Sequence, residues 1–599
     1  MKQVDLINKI SELEREIAVL PEGSISRKCI RGKDYYYHRI NRNGKRTETY
    51  IKFEDVSGLE DEINKRKRLE KTLKELTKAL EIEESNNVEV EDDKKFNTIV
   101  RFGKSLASQI APVSTYKTRF IIDKLRDYIH GVNQDKVFIL YGLRRTGKTT
   151  MIRQVISELT TREFNRTAFI QVTTKDTLSD LDHDIRLLER MGFKNVFIDE
   201  VTLMDGFIEG AAIFSDVYAS SGMKIVLSGT DSLGFAIAQE EQLYDRAIVL
   251  HTTYIPYYEF EEVLRIKGID EYIRFDGTMS ISGRDYNGES IFGNSKNTKQ
   301  YIDSAIAKNI QHSLSLYEYG GHFRELESVH ERGELTNVIN RVIEDINHKF
   351  TRNVIERTFM SNDLGITSNN LLKDGIVLSK KIDVDEVNSK IKTMLDILNK
   401  EEQKALVDDS ILLQIKEYLV LLDLINEIDL EYLPDIKKSS KINVIAQPGL
   451  RYSQASVIVN NMLKDDRFKA LSASERKYIL DRLLSEIKGR MMEEIVLLET
   501  KLLRADKHVF KLQFAVGEFD MVVADEESLE VSIYEIKYSK NVAKEQYRHL
   551  IDKNKCELTT HRYGTITNKC VIYLGDNTEV DGIKYLNVEE YLKGLKTYL

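Results

Sequence analysis

The sequence is poor in cysteine: among its 599 residues only Cys29, Cys556 and Cys570 carry thiols, with no CxxC spacing and no histidine pair nearby. That pattern excludes a disulfide framework and a cysteine-based zinc site, and the three read as ordinary reduced side chains. Long apolar runs are missing too. No window approaches the ~20 apolar residues of a membrane-spanning helix. The opening stretch MKQVDLINKISELEREIAVL is charged throughout, unlike a signal peptide. The expectation is a cytoplasmic protein with no membrane partner. Its eleven histidines are scattered, with no HExxH pair and no Ser/His/Asp constellation, so zinc is not implied. No tandem repeat is visible. A net charge of −9 excludes a chain that coats nucleic acid along its whole length, while leaving room for a local basic face.

What is present is a chain of globular composition, 41% hydrophobic and 31% charged, and too long for one hydrophobic core. Helical spacing of Ile7, Ile10, Leu13, Ile17 and Leu20, and of Leu59, Ile63, Leu69, Leu73, Leu76 and Leu80, predicts two helices of a coiled hairpin. Between them the turn signals RGKD and NRNGK divide three β-prone runs, which predicts a three-stranded antiparallel sheet. These form a first unit over residues 1–83, followed by a polar, acidic linker over 84–112. From 113 to 265, the short apolar strands VFILYG, TAFIQV, NVFIDE and KIVLSGT alternate with helical segments, as in a parallel sheet covered on both faces. Residues 266–450 read as mostly helical, and 451–599 as helical, then rich in strands. The predicted class is α/β.

The chemistry is densest at VFILYGLRRTGKTT. The run Gly142, Leu143, Arg144, Arg145, Thr146, Gly147, Lys148, Thr149 fits GxxxxGK[ST], directly after a strand and before a helical run opened by Thr150. Glycines let such a loop turn its amides toward phosphates at a helix N-terminus. Lys148 is the expected partner of the β- and γ-phosphates of ATP, and the Thr149 hydroxyl a ligand of Mg²⁺. The strand NVFIDE delivers Asp199, a second Mg²⁺ ligand, and Glu200, which aligns or deprotonates the attacking water. KIVLSGTDS offers Thr230 or Ser228 as a γ-phosphate sensor, and Arg246 in LYDRAIVL is a candidate arginine finger.

Taken in order, GLRRTGKTT, FIDE, VLSGTDSL, YDRAIVLHTTYIPYYEFEEVL and YEYGGHFREL resemble a widespread prokaryotic family of AAA-like P-loop ATPases. The resemblance, over roughly 115–560, implies a P-loop parallel-sheet core, a winged-helix segment ending near LVLLDLINEI, and a C-terminal domain of PD-(D/E)xK nuclease-like fold beginning near GRMMEEIVLLE. The chain departs from that pattern at Asp245-Arg246, where Gly-Arg is typical, and at His322-Phe323, where Phe-Pro is typical. Phosphodiester cleavage of this type needs two carboxylates around Mg²⁺ and a lysine near the attacking water. GEFDMVV and YEIKYSK supply Asp520, Glu535 and Lys537, with Glu493 as the matching upstream acid and Gln546 and Tyr547 from a following helix. An E-x-K pair also arises by chance in so charged a chain, so both a cutting and a non-cutting site stay open.

The predicted hairpin is basic. Between Pro21 and Phe53, nine basic residues stand against three acids, a net of +6. Arg27, Lys28, Arg39, Arg42, Lys45 and Arg46, with Tyr36 among several tyrosines, are the nucleic-acid candidates, since basic and aromatic side chains together suit such a ligand. The segment also resembles a helix–sheet–helix module found at the ends of diverse bacterial proteins. A solvated sheet whose tyrosines pack on the flanking helices is the alternative, and those helices suit self-association or a protein partner. Three functional readings therefore remain: an ATPase whose cycle drives or gates action on DNA, a slow ATP-dependent switch or scaffold, and a DNA-binding ATPase that remodels without cutting.

Overall fold

The computed structural model describes residues 19–30, 33–42, 45–87, 96–132, 135–204, 206–231, 242–252, 254–275, 300–316, 324–360, 409–464 and 472–598, with a few isolated positions between. Most of the expected first helix, Ser232 and the His322-Phe323 pair lie outside them.

Strands β1 (Ser24–Ile30), β2 (Lys33–Arg42) and β3 (Lys45–Ile51) form an antiparallel sheet in that order, followed by a helix over Phe53–Asn87. Glu54 and Asp55 favour that helix start through the N-terminal dipole. Ile63 is its buried anchor, and Arg66 donates to the carbonyls of Ile17 (3.2 Å) and Leu20 (2.5 Å), tying the preceding segment to it.

The second sheet holds β4 (Ile99–Arg101), β5 (Val137–Tyr141), β6 (Thr167–Gln171), β7 (Asn195–Asp199), β8 (Lys224–Gly229) and β9 (Ala247–His251), in the order β4-β6-β7-β8-β5-β9. All but β4 run parallel. Their apolar residues are buried on both faces, as near-continuous Val, Ile, Leu and Phe runs require. The expected linker over 84–112 needs correction. Its second half supplies the edge strand β4 and the helix Gly103–Ile110, whose Leu106 is fully buried. The cause is Asp184, a buried carboxylate that accepts from the Asn97 and Thr98 amides (2.9 and 2.7 Å) and from the Thr98 hydroxyl (2.7 Å).

The third sheet comprises β10 (Ile425–Tyr432), β11 (Ser440–Ile445), β12 (His508–Gln513), β13 (Glu518–Asp525), β14 (Glu530–Lys537), β15 (Thr565–Tyr573), β16 (Thr578–Val580) and β17 (Ile583–Asn587). Its order is β11-β10-β12-β13-β14-β15-β17-β16. The sheet crosses the expected division at residue 450, because β10 pairs in parallel with β12 and brings β11 with it. A helix over Ala473–Leu503 lies on this sheet through Ile487, Met491, Ile495 and Val496. The same core takes in Tyr254, Tyr257, Phe260 and Tyr272, so the segment that follows β9 packs into the core of the third sheet. Between them, helices Lys308–Leu316, Arg324–Glu331, Leu335–Met360 and Asp409–Leu421 enclose a core that reaches Leu143. Among the described residues no helix is long and apolar enough to cross a membrane.

Candidate functional site

The loop 142–147 joins β5 to the helix Lys148–Glu158 at the carboxyl edge of the parallel sheet. Glycine is required at its start: Gly142 has φ 137°, and a Cβ there would lie 1.8 Å from the Thr252 carbonyl oxygen. Gly147 and Arg145 also have positive φ, 92° and 68°. Leu143 and Thr146 are buried, Arg144 is exposed, and the Arg145 guanidinium sits 5.9 Å from the Tyr301 ring centroid. Lys148 is buried and folded back on the loop, its Nζ donating to the Gly142 and Leu143 carbonyls, 2.8 Å each. Burial pulls its ammonium down to about 8.

The neighbouring strands complete the group. Thr149 Oγ1 donates to Asp199 Oδ2 at 2.9 Å, and the Ser228 hydroxyl donates to the other oxygen, Oδ1. Thr150 is half-buried on the first helical turn. Glu200, at φ 58°, accepts from Thr230 Oγ1 at 3.2 Å, and burial raises its pKa. Asn309, from the middle helices, donates to the Thr230 carbonyl at 2.7 Å. The Thr149 hydroxyl and Asp199 carboxylate are hard oxygen donors side by side, a set that fits Mg²⁺.

Arg246 is not brought to this site. It precedes β9, opposite the start of β5, and its amide carbonyl accepts from Val137 N at 3.0 Å. The phosphate loop leaves the other end of β5, a strand length of about 15 Å away. Its guanidinium instead donates to Asp216 at 3.0 Å. Arg119, in turn, escaped the sequence reading. This buried residue donates to the Thr146 carbonyl (2.9 Å), Thr252 Oγ1 (2.8 Å), the Tyr254 carbonyl (3.1 Å) and Glu259 Oε2 (2.7 Å), and so braces the phosphate loop from behind. No local motif marks it, and Glu259 lies 140 residues away in sequence.

A second cluster lines a cavity of about 360 Å³ in the third sheet, with Arg490, Glu493, Glu518, Asp520, Glu535, Lys537, Arg548 and His549 in its walls. Strand alternation puts Glu535 and Lys537 on one side of β14, facing Asp520 on β13. Lys537 Nζ lies 2.5 Å from Glu535 Oε2 and 2.9 Å from Asp520 Oδ2, which also accepts from the Ile536 amide at 2.8 Å. Lys511 adds a cation 3.0 Å from Glu518, 3.6 Å from Glu493 and 3.8 Å from Asp520, while Arg490 meets Glu493 at 2.5 Å.

Burial pushes Asp520 upward, but Lys537, Lys511 and the Ile536 amide overrule it and hold the carboxyl below its usual range. Burial and then the Asp520 charge push Glu535 and Glu493 the other way. Glu535 Oε1 is buried without a hydrogen-bond partner. Lys537 bridges the two carboxylates, and among the described residues no three His, Cys, Asp or Glu side chains form a metal-holding group. Gln546 and Tyr547 lie outside the cavity wall: Gln546 caps its own turn, and Tyr547 donates to Asp581 at 2.7 Å.

In the N-terminal sheet, Arg27 pairs with Asp34 at 2.6 Å, Lys28 pairs with Glu48, and Arg39 pairs with Glu48 at 3.1 Å. Arg42 stands opposite Lys45 and Asn41 opposite Arg46 in the strand register. The Tyr36 ring lies 5.8 Å from Phe53 at the start of the following helix.

The sheet order, phosphate loop and Thr149–Asp199 contact define an AAA-like P-loop NTPase module. Residues 134–264 match the family model described as an AAA domain, and residues 3–65 match a domain of unknown function, DUF6788. The chain has no match among curated proteins. Among solved structures, it is similar to the Aeropyrum pernix ORC1 protein in complex with DNA at 13% identity, covering 62% of this chain and 98% of that one, with a TM-score of 0.22. It is also similar to AMPPCP-bound DnaA from Aquifex aeolicus at 15% identity, covering 65% and 98%, with a TM-score of 0.20.

Proposed function

We propose that this protein hydrolyses ATP and that its nucleotide cycle gates the action of the C-terminal cluster on DNA. The observation that carries the reading is a chain of buried polar contacts between the two sites. Arg119 holds the phosphate loop at Thr146 and the following segment at Tyr254 and Glu259. Two residues before Glu259, the Tyr257 amide donates to Glu499 Oε1 at 2.9 Å, as does the Tyr272 hydroxyl at 2.9 Å. Glu499 and Glu493 share the helix Ala473–Leu503. In this reading Lys148 leaves its loop carbonyls for the phosphates, and Glu200, made more basic by burial, takes the proton of the attacking water. Thr149 and Asp199 would hold Mg²⁺, which supplies charge neutralisation at the β- and γ-phosphates. The C-terminal domain is read as PD-(D/E)xK nuclease-like, preceded by a winged helix in the middle region. Around its carboxylates, Arg490 and Arg548 supply cations suited to a phosphodiester.

ATP turnover measured with and without single- and double-stranded DNA tests the proposal. Turnover that rises with DNA and vanishes in Lys148→Ala is the expected result. Turnover indifferent to DNA defeats it. One observation favours a second reading, a slow switch or scaffold that cuts nothing and engages a protein partner through its N-terminal helices: Lys537 is held between Asp520 and Glu535, in contact with both. Under that reading Glu535→Gln leaves every nucleic-acid phenotype unchanged. Under the first it abolishes cleavage with ATP binding intact.

A further inference from the structure

We propose that the face of the N-terminal sheet carrying Tyr35, Tyr37 and Tyr50 binds single-stranded nucleic acid, its rings stacking on bases while Lys28 and Arg39 meet phosphates. Register puts Tyr37 opposite both Ser26 and Tyr50, Tyr35 opposite Lys28, and Arg39 opposite Glu48. Side chains alternate across a sheet, so these residues share one face, while Tyr36 and His38 point to the other. That other face is occupied: Tyr36 meets Phe53, and His38 contacts the Glu22 carbonyl at 2.5 Å. On the tyrosine face, the Tyr50 ring lies 6.3 Å from Tyr35 and 6.0 Å from Tyr37, and Tyr50 is 57% exposed. Lys28 Nζ sits 4.8 Å from the centre of the Tyr37 ring.

Three adjacent rings on a sheet, bordered by cations in a segment of net charge +6, match the chemistry of unstacked bases joined by phosphates. A duplex hides its base faces and offers these rings nothing to stack on. Glu48 has a definite part. It pairs with both Lys28 and Arg39, whose cations hold it ionised, down at about 2. It therefore competes with an incoming phosphate for the same two side chains.

Binding of a labelled oligothymidine and of the matching duplex, followed by fluorescence anisotropy on the full-length protein without nucleotide at two salt concentrations, tests the assignment. The double variant Tyr37→Ala/Tyr50→Ala should lose about tenfold or more in single-strand affinity while still binding ATP. Glu48→Gln should tighten single-strand binding about two- to fivefold and steepen its salt dependence. Wild-type affinity in the double variant, weaker binding in Glu48→Gln, or duplex bound as tightly as single strand would each overturn the proposal. None of these results touches the C-terminal cluster, so DNA-stimulated ATP turnover can survive the loss of this surface, and the two proposals fail separately.

Discussion

Glu499 shows how a single residue can tie two bodies together and leave a measurable signature. It is buried, accepts two hydrogen bonds on Oε1, and has none on Oε2. Burial lifts its pKa to about 8, against 4.5 in the unfolded chain. Between those values the folded protein holds a proton that the unfolded chain releases, so stability falls as pH rises from about 4.5 to about 8. At one pKa unit per ~1.4 kcal/mol, the loss is on the order of a few kcal/mol. Glu499→Gln mimics the protonated form and keeps both accepted hydrogen bonds. Its melting temperature should match that of the wild type near pH 5 and exceed it progressively toward pH 8. Parallel melting curves for the two proteins across that range would show that this carboxyl does not titrate.

Elements differed in how far the sequence could place them. The phosphate loop was legible because its requirements are local: a strand, glycines at positive φ, and a helix start within one short run. The alternation of Glu535 and Lys537 on β14 was legible for the same reason. What escaped depends on contacts between distant segments. Residues 97–110 mix polar and apolar side chains, and a buried carboxylate at Asp184 captures the Asn97 and Thr98 amides where the chain joins the edge of the sheet. Arg246 follows a motif by sequence order, yet the direction of β9 sends it to the wrong end of the sheet. Tyr36 sits among tyrosines, and only the register shows that Tyr50 joins Tyr35 and Tyr37 on the opposite face. Arg119 belongs to this class as well, because its meaning lies in Glu259, on the helix Tyr257–Leu264. Removing one partner of such a buried pair typically costs 3–5 kcal/mol, since the remaining charge is left uncompensated. Arg119→Met should therefore lower the denaturation midpoint sharply. Arg119→Met/Glu259→Gln should recover part of the loss, measured by urea unfolding of both variants and the wild type.

For the whole molecule, the question is whether the second and third sheets move as one. Tyr254, Tyr257, Phe260 and Tyr272 are buried in the same core as Met491, Ile495 and Val496 of the helix that carries both Glu493 and Glu499. A closely packed core shifts as a unit rather than yielding atom by atom, and the polar chain from Thr146 through Arg119 to Glu499 runs along its border. ATP can bias the C-terminal cluster only by favouring one arrangement of these elements over another. Amide hydrogen exchange with and without a non-hydrolysable ATP analogue measures that bias. Analogue binding should slow exchange in the loop 142–149 and also in the helix Ala473–Leu503. In Glu499→Gln, which keeps the hydrogen bonds, both effects should persist. In Glu499→Ala, which removes them, protection of the loop should remain while protection of the distant helix falls away. Protection confined to the loop in the wild type would mean that the two bodies share a core without sharing a nucleotide response, and would shift weight to the scaffold reading.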